Sequence, residues 1–213
     1  TLQSHQAQSL VRGRRGEDGK PAIVGLLGFA DRLRVLWQAA TLDDPYADWW
    51  LLKVETGIAE ARARMGALQA ELDTMVSSTT GLEFSVAYAE RPQRVSLHFL
   101  NPYAFRGAQL LADYDRAVCT ALTLRHVGVM LPPTLAEEQA GSGRWVRRVL
   151  SLPHGYHQLD VCRQGLAMGG VNAMRARERM GEVPEDVLRR ERLPALRPSF
   201  VRITPDASPE IRW

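Results

Sequence analysis

Lysine is nearly missing: Lys20 and Lys53 are the only two in a 213-residue chain with 27 basic side chains. The others are arginine, whose planar fork suits phosphate and guanine better than an ammonium does. A GC-rich coding sequence would give the same skew. Cysteine is also scarce. Cys119 falls in an amphipathic helical pattern, where a free thiol acts as a small hydrophobe, and Cys162 stands alone. No disulfide framework follows, and a reduced, cytoplasmic protein is expected. No apolar run approaches the roughly 20 residues that span a bilayer, and no secretory apolar segment opens the sequence, so no membrane role is expected.

The motifs of common catalysis are missing as well. There is no G-x-S-x-G, no Walker loop and no H-E-x-x-H. Gly25-x-x-Gly28 lacks the preceding strand and the third glycine of a dinucleotide loop. The histidines are His5, His98, His126, His154 and His157. The closest pair, His154-x-x-His157, has no third ligand nearby, whereas a zinc site takes about four. Asp43, Asp44 and Asp48 stand at a helix start, where capping and the helix dipole explain them. Asp113 and Asp115 share a helix with Arg116 and read as a solvated face. No metal, no cofactor and no enzymatic activity are expected.

What is present is an ordinary core-forming composition. Apolar residues make up 45% and charged residues 24%, with a net charge of +3 and a pI near 9.1. That charge permits nucleic-acid binding without arguing for it, so local clustering has to decide. The patterning predicts a mostly α fold with a small antiparallel β-ribbon (α+β), in which long helices pack around a two- to three-stranded ribbon. Residues 1–181 are expected to form one helical domain. Within it, 82–128 supply the ribbon and a long helix. Residues 182–213, with five prolines, are expected as an extended, poorly packed tail.

Several elements carry specific signals. Thr1 to Arg12 suits a strand or a short arm, and Gly13 to Pro21 a loop. Ala22 to Ala40 reads as a helix, with Phe29, Leu33 and Leu36 on one face. Asp43-Asp44-Pro45 is a strong helix start, and the helix is predicted from Pro45 to about Val76. Val54, Ile58, Ala61, Met65, Leu68, Leu72 and Met75 form a heptad-like seam along it. That seam fits a dimerisation helix or an antiparallel helix pair within one chain. Thr134 and Glu137 have the spacing of a capping box, and Gly141-Ser142-Gly143 is expected to separate two short helices. Val171 to Met180 is predicted as a helix.

The sharpest functional pattern runs from Gln93 to His126. Arg94, Ser96 and His98 alternate with Val95, Leu97 and Phe99, the period of a half-buried strand. Asn101 is a good N-cap and Pro102 a good first helical residue, and the helix is predicted to run to about Val127 with Gly128 as its cap. A second alternating stretch, Leu82 to Tyr88, could pair with the first. An outward row of donors followed by a helix start could lie on a polyanion, with the strand meeting base edges and the helix start a phosphate. Arg91, Arg94 and Arg106 form a first basic group, and Arg144, Arg147 and Arg148 a second. Arg175, Arg177 and Arg179 form a third, offset by Glu178. The first two could equally be ordinary solvated faces, and the third reads as a plain charged helix.

Two stretches resemble a known family. They are Asp43-Asp44-Pro45-Tyr46-Ala47-Asp48-Trp49-Trp50-Leu51-Leu52, and Asn101-Pro102-Tyr103 with Ala112-Asp113-Tyr114-Asp115 and Leu124-Arg125-His126-Val127-Gly128. They are similar to integrating conjugative element proteins grouped with the AcaB-like regulators, over Thr1 to about Leu193. The resemblance implies a ribbon-helix-helix transcriptional regulator of element transfer genes. It would bind double-stranded DNA as a homodimer. Arg94, Ser96 and His98 would read bases in the major groove, and Asn101 and Tyr103 would grip the backbone. The helix after the strand is about twice the length usual for that fold, and the second strand offers an internal partner that would remove the intersubunit ribbon. The competing reading is a non-enzymatic helical scaffold or accessory protein of the conjugation machinery. The heptad seam, the Trp49-Trp50 pair and the modest charge support it.

Overall fold

Asp44 starts the longest element. Its carboxylate accepts the backbone N–H groups of Tyr46 and Ala47, and Pro45 takes the first helical position. The resulting helix α3 spans Pro45–Ser78. The structure is a computed structural model that describes residues 1–17, 19–79 and 101–199. Before α3 come α1 (His5–Arg12), β1 (Gly13–Arg14), β2 (Ile23–Val24) and α2 (Leu26–Thr41). After it come α4 (Pro102–His126), α5 (Pro133–Ser151), α6 (Arg163–Met168), α7 (Val171–Met180) and α8 (Glu185–Leu188), with a 3-10 turn at Leu152–Gly155.

The heptad seam of α3 is satisfied inside the chain. Val54, Ile58, Ala61, Met65, Leu68 and Leu72 are all buried, and α4 is the main neighbour. Arg62 bonds Asp113, Gln69 bonds Thr120, and Glu55 faces Arg106. Each pair is separated by the same 51 residues, and successive pairs are seven apart, so α3 and α4 run parallel in heptad register. The expected intrachain partner exists, but it is parallel rather than antiparallel. A seam used this way leaves no apolar stripe for an intersubunit coiled coil.

Helices α2 and α5 complete a four-helix arrangement, each antiparallel to that pair. In α2, Leu33 faces Asn101 and Phe29 faces Gly107. Across α5, Gly57 meets Val149 and Leu152, while Trp50 meets Gly155. Small residues set the close approaches. A Cβ on Gly107 would come within 2.5 Å of the Phe29 ring, which is wholly buried. Gly107→Leu should therefore lower stability by about 1–3 kcal/mol through overpacking. Gly66 is the control, since a Cβ there meets nothing within 4 Å. Gly66→Ala should raise stability by about 0.5–1 kcal/mol from helix propensity alone. Urea denaturation of the two variants reads both signs.

The ribbon-centred expectation is corrected by this architecture. About 71% of the described residues are helical, and the one sheet among them is two-stranded and antiparallel. It pairs Gly13 with Val24 and Arg14 with Ile23, near the start of the chain. Two residues per strand make a clip rather than a scaffold, and the core lies between helices, not on a sheet face. Among the described residues the fold is a helical bundle and not a ribbon-helix-helix element. The predicted strands Leu82 to Tyr88 and Gln93 to Leu100 lie outside the described residues.

Other local expectations change for tertiary reasons. Residues 5–12 form a helix because Ser4 caps it through Ala7 N–H, and the Ser4 and Gln3 backbones bond the carboxylate of Asp115. Asp115 is thus buried, not part of a solvated face. The expected helix from Ala22 begins at Leu26, because Ile23 and Val24 pair with β1. Gly141-Ser142-Gly143 does not break α5. All three residues are buried, and the Ser142 hydroxyl bonds back to Gln139 O at 2.6 Å. Gly143 is where the Tyr114 side chain packs, so the absence of side-chain bulk serves close packing rather than a turn. Helix α5 has Pro132 at its N-cap and no side-chain cap, so the Thr134–Glu137 box does not form.

The stretch 182–199 also departs from an extended tail. Val187 of α8 is fully buried. Farther on, Ala195 N–H donates to Glu55 at 3.0 Å, Leu196 N–H to the Tyr103 hydroxyl at 3.2 Å, and Arg197 to Asp48 at 2.7 Å.

Candidate nucleic-acid interface

Helix α5 presents the clearest cationic surface. Leu135, Val146, Val149 and Leu150 face the core, which turns positions 144, 147 and 148 outward. Spacings of three and four residues put these side chains on one face. Arg144, Arg147 and Arg148 are all exposed. Among the described residues none of them has a carboxylate within ion-pair distance. Arg147 stands beside Tyr114, whose phenol is pushed up by burial and drawn partly back by that guanidinium. A surface of this kind can hold phosphates without first breaking an internal ion pair.

The first basic group fares differently. Arg91, Arg94, Ser96 and His98 lie outside the described residues. Asn101 and Tyr103, expected to grip a DNA backbone, are buried and already engaged. The Asn101 side chain accepts Tyr103 N–H at 2.9 Å and donates to Leu33 O at 3.2 Å. The Tyr103 hydroxyl donates to Glu55 and accepts from Leu196, and desolvation raises its pKa. Arg106 sits 3.7 Å from Glu55 and over the Tyr103 ring, so it is committed within the fold. The N-cap signal at Asn101 does mark a helix start. Its polar atoms are used up by capping and helix–helix bonding, which leaves none for a ligand.

Arg148 has neighbours that sequence spacing does not reveal. It shares a groove between α3 and α5 with Lys53, Arg64, Trp49 and Trp145. Lys53 follows Trp49-Trp50 in the sequence, where a lone lysine carries little signal. The pairing with α5 exists only in three dimensions.

The densest polar cluster is at the α3 start. Asp48 is fully buried and holds Arg163 at 2.8 Å and Arg197 at 2.7 Å. Asp43 bonds Arg163 at 2.5 Å and Arg190 at 2.7 Å, from a left-handed backbone conformation of φ 63°. Asp44 accepts the Tyr156 hydroxyl at 2.6 Å. These carboxylates are turned to capping, to arginines or to the Tyr156 hydroxyl, so the cluster clamps the C-terminal segments onto α3.

Burial pushes the Asp44 carboxyl up to about 6, against the lowering effect of its Tyr156, Tyr46 and Ala47 donors. The native state thus holds a proton that the unfolded chain releases near pH 4. Stability should rise as pH falls from about 6 towards 4, by up to about 1 kcal/mol per pH unit from this group. Asp44→Asn keeps an oxygen acceptor for the cap and removes the titration. The stability difference between the parent and this variant, followed by chemical denaturation from pH 7 to 4, should shift in favour of the parent across that window. A constant difference would contradict the assignment.

The described residues thus place an exposed arginine face on α5 beside a basic, tryptophan-lined groove, in a largely helical fold. The model of the AcaB family of transcriptional regulators matches residues 1–201, and the chain belongs to that family. No curated protein and no solved structure matches it. No helix of the described residues is long and apolar enough to cross a membrane.

Proposed function

We propose that the protein binds double-stranded DNA through the outward face of α5 and regulates transcription of transfer genes in an integrating conjugative element. One observation carries the interface: Arg144, Arg147 and Arg148 stand together, exposed and free of carboxylate partners among the described residues, in a member of a transcriptional-regulator family. Arginine matches this task because its fork meets phosphate oxygens two at a time. Asp43, Asp48 and Asp113 are each committed to ion pairs with other arginines, so none of them competes for the α5 cations.

Fluorescence anisotropy with duplex DNA from the encoding element, in a salt series, tests the reading. Engaging three phosphates should cost roughly fortyfold in affinity between 50 and 200 mM salt, and engaging six roughly a thousandfold. Binding to no duplex at low salt would remove the proposal and favour the scaffold role, for which the internally packed helices and modest net charge would then suffice.

A further inference from the structure

The groove between α3 and α5 encloses a cavity of about 400 Å³, within the size range of small-molecule sites. Its chemistry is uneven in an informative way. Lys53, Arg64 and Arg148 line it, and among the described residues none of these has an ion-pair partner. Arg192 also lines it but is bound to Asp186 at 2.8 Å. Glu60 is the only carboxylate in the lining. The described lining is therefore electropositive, and Arg64 and Arg148 are not spent on ion pairs.

Its walls are aromatic. Trp49 and Trp145 both line it and are both half-buried. Lys53 places its ammonium 3.4 Å from the Trp49 ring centroid and 3.5 Å from that of Trp50, and desolvation there lowers its pKa. Gly57 closes the floor, where a Cβ would come within 2.7 Å of Leu152. Lys53 already lies on the Trp49 ring, so Trp145, with no ring or cation partner among the described residues, is the indole left to meet a flat ring, and an arginine fork donates to the oxygens of a phosphate. Since α3 and α5 are antiparallel, Trp145 of α5 lies towards the Arg64 end of the groove and Arg148 lies one turn along from it. The ring-binding and anion-binding groups are therefore adjacent.

We infer that this cavity is a binding site for a free nucleoside phosphate, with its base against a tryptophan and its phosphate on Arg64 and Arg148. A duplex is too wide to enter a cleft of this volume. A bare anion would leave the indole faces unused, and a neutral aromatic would leave the guanidinium groups unused. The site shares Arg148 with the DNA-binding reading but does not rest on it, because Arg64 and the tryptophans are not among the side chains that reading uses.

The test is titration of the full chain with adenosine and guanosine monophosphates, followed by quenching of tryptophan fluorescence and by calorimetry. Saturable binding of one of them is expected with a Kd below about 1 mM. Inorganic phosphate alone and the nucleoside alone should each bind at least about tenfold more weakly, because each meets half of the site. Arg64→Ala, at an exposed position, should weaken nucleotide binding by about tenfold or more. Trp145→Leu should weaken it and reduce the quench. Arg175→Ala on α7, outside the cavity, should change neither. The inference is overturned by an absence of saturable binding, by affinity that Arg64→Ala and Trp145→Leu leave unmoved, or by equal binding of phosphate alone. Binding of the single strand (dT)10 without either mononucleotide also overturns it, since the occupant would then be a polymer. Loss of duplex affinity in the salt series has no bearing on these outcomes, so the two readings fail separately.

Discussion

Asp48→Ala will cost about 3–5 kcal/mol of folding stability, the loss expected when one partner of a buried ion pair is removed. Asp48 is fully buried on the first turn of α3, and the guanidinium groups of Arg163 and Arg197 converge on its two oxygens. Both arginines are themselves mostly buried, each with 11% of the side chain exposed. Without Asp48, two cations face each other beside Asp43, which also carries Arg190. A marginally stable domain holds about 5–15 kcal/mol in all, so this substitution removes a large share. It also has a local signature. Arg197 ties the stretch 190–199 to α3, so limited proteolysis should cut that stretch faster in the variant than in the parent. Asp48→Asn, which keeps the shape and loses the charge, should fall between the two. Unchanged denaturation midpoints for Asp48→Ala would show that the clamp does not hold the fold.

Replacing Arg144, Arg147 and Arg148 together by glutamine will reduce the slope of log affinity against log salt by about 2.7, or about 0.9 for each phosphate no longer neutralised. Extrapolated from the 1 M standard state, that slope change amounts to roughly a 500-fold loss of duplex affinity at 0.1 M salt. The effect is separable from folding, because all three side chains are exposed and carry no ion pair among the described residues. Circular dichroism and the denaturation midpoint should therefore match the parent. Single replacements should each remove about a third of the slope change and should act alike across DNA sequences, as phosphate binding does. A triple variant with the parent's salt slope would place the DNA-binding surface elsewhere on the molecule.

Local, short-range rules are legible in the sequence. The Asp44-Pro45 and Asn101-Pro102 starts are both real caps, since capping is settled within three residues. The heptad seam of α3 and the helix over Val171 to Met180 also hold, because periodicity reports a buried face. The breaks are less legible. Gly-Ser-Gly has the composition of a turn, yet between α4 and the body of α5 it lets Tyr114 pack closely. The polar stripe around Asn101 and Tyr103 has the composition of a binding face. Residue type cannot show that Leu33, Glu55 and Leu196 consume those groups. The second basic group can be named from the sequence, but its joining to Lys53, Arg64 and two tryptophans cannot.

The sequence by itself determined where α3 and α4 start, which face of α3 is apolar, and that arginine is the molecule's principal cation. These follow from propensity, capping and period, all of which act over a few residues. Tertiary structure alone decided that α3 and α4 lie parallel, that the stretch after Glu182 is clamped to Asp48, and which arginines remain available. A charge is free or spent according to what lies across from it, and its partners here stand about 50 to 150 residues away. Long-range pairing of this kind leaves no periodic trace in one chain.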